Sequence, residues 1–237
     1  MNSNSYLSAE AAALNSFMTK VFVWMFAGLL LTSGISFMFA AAVISNETAA
    51  QVANNPIFLI ALVIAEFALV IKLSRSLDRL SEFAAKAMFL VYAGLNGLTI
   101  SYVFFAYTAS DVTRAFIYAA VFFGVMAAYG YFTKADLTRA GNILTVGLIT
   151  IIIASVINVF LRSGGLDFLI CLAGVGIFVG LTAWDVQRIK SNYYGLYAAG
   201  AQNEAMVSKI AVFGALRLYL DFVNLFLYIL RLLGRRR

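Results

Sequence analysis

Apolar residues fall along the chain in long blocks separated by short polar clusters, without the strict alternation of half-buried strands. The blocks run approximately over Val21–Ile44, Ile57–Leu73, Ala87–Tyr107, Ala115–Phe132, Ile143–Leu161, Phe168–Trp184 and Ile210–Leu233. Each approaches the roughly 20 residues that a helix needs to cross the hydrocarbon core of a bilayer. Breakers and charges mark the gaps, at Asn46–Pro56, Arg75–Glu82, Ala109–Arg114, Lys134–Asn142 and Arg162–Gly165. The pattern predicts an all-α polytopic membrane protein, a single transmembrane domain over 1–237 with seven transmembrane helices. Residues 1–20 read as a polar N-terminal segment, 187–209 as a long cytoplasmic loop with room for a surface helix or a partner-binding segment, and 210–233 as the last helix. The first 16 residues hold Glu10, no basic run and no cleavage site, so the first block reads as a retained span rather than a removable signal peptide.

Composition sharpens this picture. Hydrophobic residues make up 63% and charged residues 12%, against about 25% charged in a soluble domain, and mean hydropathy is +0.91. A disordered chain, a disulfide scaffold and an ordinary water-soluble enzyme are excluded. There is no histidine, and the one cysteine, Cys171, lies inside an apolar block. One chain therefore cannot assemble a histidine- or thiolate-ligated metal site, nor a Ser-His-Asp or Cys-His nucleophile. Enzymatic activity has no supporting constellation, no cofactor is implied, and any pH response must come from carboxylates. The net charge of +6 reads as orientation signal and membrane-lipid contact rather than nucleic-acid binding.

The basic residues divide by side. Lys20, Lys72, Arg75, Arg79, Lys86, Lys134, Arg139, Arg188, Lys190 and Lys209 fall on the side of the N-terminus, whereas Arg114 and Arg162 fall opposite. The positive-inside rule then puts the N-terminus in the cytoplasm. The tail, Arg231 and Arg235–Arg237, leaves two readings open: a last block that crosses fully, or a re-entrant one whose tail returns to the cytoplasm. Gly97-Leu98-Thr99 recurs as Gly180-Leu181-Thr182, a short echo compatible with an inverted repeat of two three-span halves or with plain packing of small residues.

Ionisable residues deep in hydrocarbon are costly and become candidate functional groups. Glu66 lies near the middle of the second span, Asp185 at the end of the sixth, and Asp221 about 11 residues into the seventh. In the last block Arg217, Asp221, Asn224, Tyr228 and Arg231 recur at helical spacing as a polar stripe. Such a stripe belongs on a central helix facing a polar cavity, or else Asp221 and Arg217 form a self-neutralising i,i+4 pair. Asp185 and Asp221 share one half of the membrane, so they can meet. Two carboxylates at close range cannot both ionise and share a proton. Ionised, they repel and offer oxygen ligands to a hard cation such as Ca²⁺. Asn96, Thr99, Ser101, Ser155 and Asn158 are read as interhelical hydrogen-bonding residues.

Two segments then carry a resemblance. Gly180-Leu181-Thr182-Ala183-Trp184-Asp185-Val186-Gln187-Arg188-Ile189 and Gly214–Phe226, with Leu218-Tyr219-Leu220-Asp221-Phe222-Val223-Asn224-Leu225-Phe226 at its centre, resemble signatures of the transmembrane Bax inhibitor motif (Bax inhibitor-1-like) family. Gly97-Leu98-Thr99 and the closing Leu230-Arg231-Leu232-Leu233-Gly234 are similar as well, and the short loops look like the bacterial branch. The resemblance implies two three-helix layers around a central seventh helix, a bacterial inner-membrane location, and a pH-sensitive passive calcium leak. In it Asp185 and Asp221 match the gating pair and the tentative Ca²⁺ ligands, and Glu66 matches the acid of the cation route. Arg75 or Arg79 matches a basic latch. Arg217 departs from the family's small or neutral residue at that position; a cation there favours ionised Asp221 and repels Ca²⁺. With Asn224 it is a modulating residue. Two further readings stand beside the leak: a regulator that binds a membrane-anchored AAA protease, and a proton-coupled cation exchanger. A retinal photoreceptor is excluded, since the seventh span holds no lysine.

Overall fold

The computed structural model describes residues 3–75, 80–198, 200 and 203–234. Among them secondary structure is helical throughout: α1 (Ser3–Ser45), α2 (Glu47–Ala53), α3 (Pro56–Arg75), α4 (Glu82–Ile100), α5 (Val103–Ala106), α6 (Ala109–Phe132), α7 (Thr138–Leu161), α8 (Gly164–Ala198) and α9 (Glu204–Leu233). Seven helical segments are long and apolar enough to cross a membrane, the third made of α4 and α5 together. Capping chemistry fixes the boundaries. Asn46 accepts from the amides of Thr48 and Ala49 to start α2, Ser81 caps α4 through Ala84, and Thr108 caps α6 through Asp111.

Two sequence expectations are corrected here. The connection expected over 187–209 narrows to 199–203, because α8 continues to Ala198 and α9 starts at Glu204. Ile189 and Tyr193 are buried one turn apart, so this polar stretch is an amphipathic helix extending past the apolar block. Asp185 accordingly sits inside α8 rather than at its end. The polar N-terminal segment is also helical, with Leu14, Phe17 and Met18 buried on one face and Phe17 stacked on Tyr193 at 4.7 Å. The last block forms one uninterrupted helix of 30 residues, about 45 Å long. The tail residues Arg235–Arg237 and the latch candidate Arg79 lie outside the described residues.

The chain divides into two compact units. The first holds α1–α5, the end of α8 from Asn192, and α9 as far as Tyr219. Its centre is aromatic: Tyr219 meets Phe89 and Tyr92 edge-on, with ring centroids 5.9 and 5.8 Å apart. Gly97 lets α4 approach α1 closely, since a Cβ there would come within 2.8 Å of the Thr32 carbonyl oxygen. Ser208 at the start of α9 donates to Glu82 at 2.7 Å, and Lys209 donates to the Leu80 carbonyl at 3.2 Å.

The second unit holds α6, α7, α8 up to Ser191, and α9 from Leu220 onward. Ala115, Ala119, Phe123 and Ala127 recur every four residues along the buried face of α6, and Phe116 and Phe123 flank Phe222 of α9 at 5.5 and 5.6 Å. Gly180 seats Leu144 of α7 against α8. Both glycines of the short sequence echo therefore serve close packing. Their threonines part company, since Thr99 bonds to another helix and Thr182 to the Phe178 carbonyl of its own. Burial ranks the spans: 67% of the apolar window of α9 is buried but only 6% of that of α7. The apolar window of the last helix is thus the most buried of the seven, and the large exposed apolar side chains of α7, such as Phe160 and Ile143, suit a lipid-facing helix.

Candidate functional site

The two aspartates lie in the second unit, Asp185 on α8 and Asp221 on α9, with 8% and 4% of their surfaces exposed. A contact two turns away joins their helices. Phe178 of α8 stacks on Tyr228 of α9 with centroids 5.8 Å apart and planes 28° apart, and Gly174 leaves room for the Tyr228 ring. The two helices are joined only by residues 199–203, so they form an antiparallel hairpin. Asp185 is two turns onward from Phe178 along α8, and Asp221 is two turns back from Tyr228 along α9. A seven-residue step returns to nearly the same helix face, drifting by about 20°. The face of α8 that carries Asp185 and the face of α9 that carries Asp221 are therefore the ones joined by the Phe178–Tyr228 stack. Towards the other end, Arg231 pairs with Asp167 in the first turn of α8.

Asn224 donates to the Leu220 carbonyl of its own helix at 2.8 Å. The Arg217 guanidinium lies 5.0 Å over the Phe213 ring, one turn from Asp221 along α9. Among the described residues no three of His, Cys, Asp or Glu converge as a metal cluster. Carboxylate oxygens are thus what this site has to offer a hard cation.

Glu66 belongs to a different arrangement, in the first unit. Half-buried on α3, it accepts a hydrogen bond from Thr99 Oγ1 at 2.6 Å and from Asn96 Nδ2 at 3.4 Å. Asn96 Oδ1 in turn accepts from the Tyr219 hydroxyl at 2.9 Å. That hydroxyl lies 2.6 Å from Thr32 Oγ1, which also lies 2.8 Å from the Ala93 carbonyl oxygen. A polar chain thus runs from α3 through α4 to α9 and α1, inside an aromatic core. Two hydroxyl hydrogens serve its last three contacts, so the network has alternative donor patterns. Asn96 and Thr99 bond across helices as expected. Ser101, Ser155 and Asn158 do not: Ser101 donates to Leu98, Ser155 to Ile151, and Asn158 accepts from the Ser163 amide just past the end of α7. In hydrocarbon a short hydroxyl satisfied by its own helix needs no partner helix. Arg75 is exposed in the last turn of α3, where a cation complements the helix dipole.

Sequence reasoning missed Tyr219 and Thr32, because a tyrosine in an apolar run reads as core. The signal available was Asn96 and Thr99, three residues apart and on one face of α4. It also missed the Asp167–Arg231 pair, because Asp167 lies just outside the apolar block Phe168–Trp184.

Comparison with known proteins agrees with the segments singled out. The family model described as inhibitor of apoptosis-promoting Bax1 matches residues 14–237. The inner membrane protein YbhL of Escherichia coli (strain K12) is 41% identical over 226 residues, covering 95% of this chain and 94% of its own. An uncharacterized protein of Borreliella burgdorferi is 44% identical over 230 residues, covering 96% and 95%. The uncharacterized protein YrjE of Lactococcus lactis is 37% identical over 235 residues, covering 99% and 97%. With seven spans, a buried last helix and a family match reaching almost from end to end, this chain belongs to the Bax inhibitor-1-like family of membrane proteins.

Proposed function

We propose that the protein is a pH-sensitive passive cation leak that admits calcium, resident in a bacterial inner membrane and gated by Asp185 and Asp221. The observation that supports this reading is the burial of Asp185 on α8 and Asp221 on α9, each two turns from the Phe178–Tyr228 stack that joins the two helices. Sharing one proton, the pair forms a closed contact; both ionised, it repels across the hairpin and presents oxygens to a divalent cation. Protonation thereby biases two arrangements of the same helices. Glu66, held by Thr99 and Asn96, supplies a second acid on the cation route, and Arg217 opposes cation entry by its charge. The reading involves no covalent chemistry, no cofactor and no soluble partner. The inner-membrane location follows the name of the Escherichia coli relative and the membrane-spanning length of the helices.

The test is ⁴⁵Ca²⁺ uptake into sealed proteoliposomes between about pH 5 and 8, spanning neutrality on both sides, because two carboxylates that share a proton hold it above the ordinary range. Uptake above that of empty vesicles, changing through this range, is the expected result. Folded protein that gives no uptake above empty vesicles at any pH contradicts the leak. A regulator of a membrane-anchored protease would then be the reading to pursue.

A further inference from the structure

At the membrane edge of the second unit, the loop between α6 and α7 and the adjoining part of α8 enclose a recess of about 480 Å³, a size typical of small-molecule sites. Its lining is mixed, with Lys134 and Arg188 as its cations, Asp136 as its acid, neutral polar side chains between them and the Trp184 indole as an aromatic wall. The wall is rigid. Trp184 packs on Gly141, where the absence of a side chain makes room for the indole, and the Arg188 guanidinium lies 5.0 Å over its ring. The loop is tied to α8 at both ends of one amide: Gln187 Oε1 accepts from the Leu137 amide at 2.8 Å and Nε2 donates to the Ala135 carbonyl at 2.7 Å. Lys190 adds a third tie, donating to the Tyr131 carbonyl at 2.7 Å.

The lining holds one acid, Asp136. Its carboxylate accepts from the Thr138 backbone N–H at 2.9 Å, and bonding to the Thr138 side chain and backbone holds its carboxyl below the usual range. Lys134 and Arg188 against the ionised Asp136 leave the recess with one net positive charge beside the opening turn of α7. Residues 134 and 138 connect one membrane-spanning helix to the next, which puts the recess at the depth of lipid headgroups. Guanidinium and ammonium groups at that depth select phosphate oxygens, and an indole at the interface lies against the glycerol and polyol portion. We propose that this recess is a binding site for a phosphate-bearing anion, held by Lys134 and Arg188 against Trp184. A lipid headgroup and a free phosphate share this chemistry. The site is separate from the carboxylate pair and does not depend on calcium flux.

Trp184 is its own reporter, because the chain has two tryptophans and Trp24→Phe leaves it as the sole one. The full-length protein in phosphatidylcholine nanodiscs is titrated in one arm with phosphatidylglycerol and in the other with inorganic phosphate, following Trp184 emission. A saturable response to phosphatidylglycerol alone assigns the recess to a lipid headgroup, and a saturable response to inorganic phosphate assigns it to the free anion. In either case Lys134→Gln/Arg188→Gln weakens the apparent affinity by about tenfold or more, each cation near an anionic surface contributing about 1 kcal/mol. Lys134→Gln alone, which leaves the Arg188–Trp184 contact intact, gives a smaller loss in the same direction. No saturable response in either arm overturns the proposal, as does an affinity unchanged in the folded double variant.

Discussion

Tyr219→Ala is expected to destabilise the protein by about 4 kcal/mol, the range for deleting a fully buried aromatic ring. Tyr219 is the largest side chain with no exposed surface, and Phe89, Tyr92 and the backbone of Gly28 surround its ring. Part of the cost is polar, because the hydroxyl donates to Asn96 and contacts Thr32. Tyr219→Phe isolates that part: it keeps the ring and leaves buried oxygens of Asn96 and Thr32 short of a partner, at a cost of about 1–2 kcal/mol. Equilibrium unfolding in a fixed detergent or bicelle measures both. A loss below about 1 kcal/mol for Tyr219→Ala would contradict the central placement of this ring.

Neutralising either aspartate is expected to abolish the pH dependence of calcium uptake. Two unit charges about 4 Å apart repel by about 4 kcal/mol at an effective dielectric constant near 20. About 1.4 kcal/mol already changes an equilibrium tenfold, so one proton on such a pair suffices to gate a two-state hairpin. Asp185→Asn and Asp221→Asn each remove the repulsion, and the double variant removes nothing more. The three variants therefore share one flat pH profile, whereas independent sites would give effects that add. Single variants that each keep half of the wild-type pH dependence, with the remainder lost only in the double, would show separate titrations instead of a pair.

Much of the fold was legible because a bilayer imposes its own length on apolar helices, and all seven blocks correspond to spans. The ends were less so. Hydropathy marks where a helix leaves hydrocarbon, not where it stops, so α8 continued through Ile189 and Tyr193 beyond the apolar block. The N-terminal segment likewise folded onto Phe17 and Met18. Deep charge is rare and easily seen, which is why Glu66, Asp185 and Asp221 stand out in the sequence. What a linear reading lacked was partners. The hydrogen-bond chain from Glu66 to Tyr219 joins four helices distant in sequence, and the faces of α8 and α9 that carry Asp185 and Asp221 are joined by the Phe178–Tyr228 stack, which no spacing rule contains. The serines at 101 and 155 misled because a hydroxyl bonded to its own helix and one bonded to a neighbour look alike in sequence.

The most direct test of the carboxylate pair reads the proton itself. Infrared difference spectra of the protein in vesicles, recorded as the pH is raised from about 5 to 8, report the carbonyl stretch of protonated carboxyl groups. The account predicts a band that disappears through this range in the wild type and is missing or displaced in Asp221→Asn. A wild-type spectrum with no such band at any pH in the range, or a band that titrates identically in Asp221→Asn, would contradict a proton shared between Asp185 and Asp221.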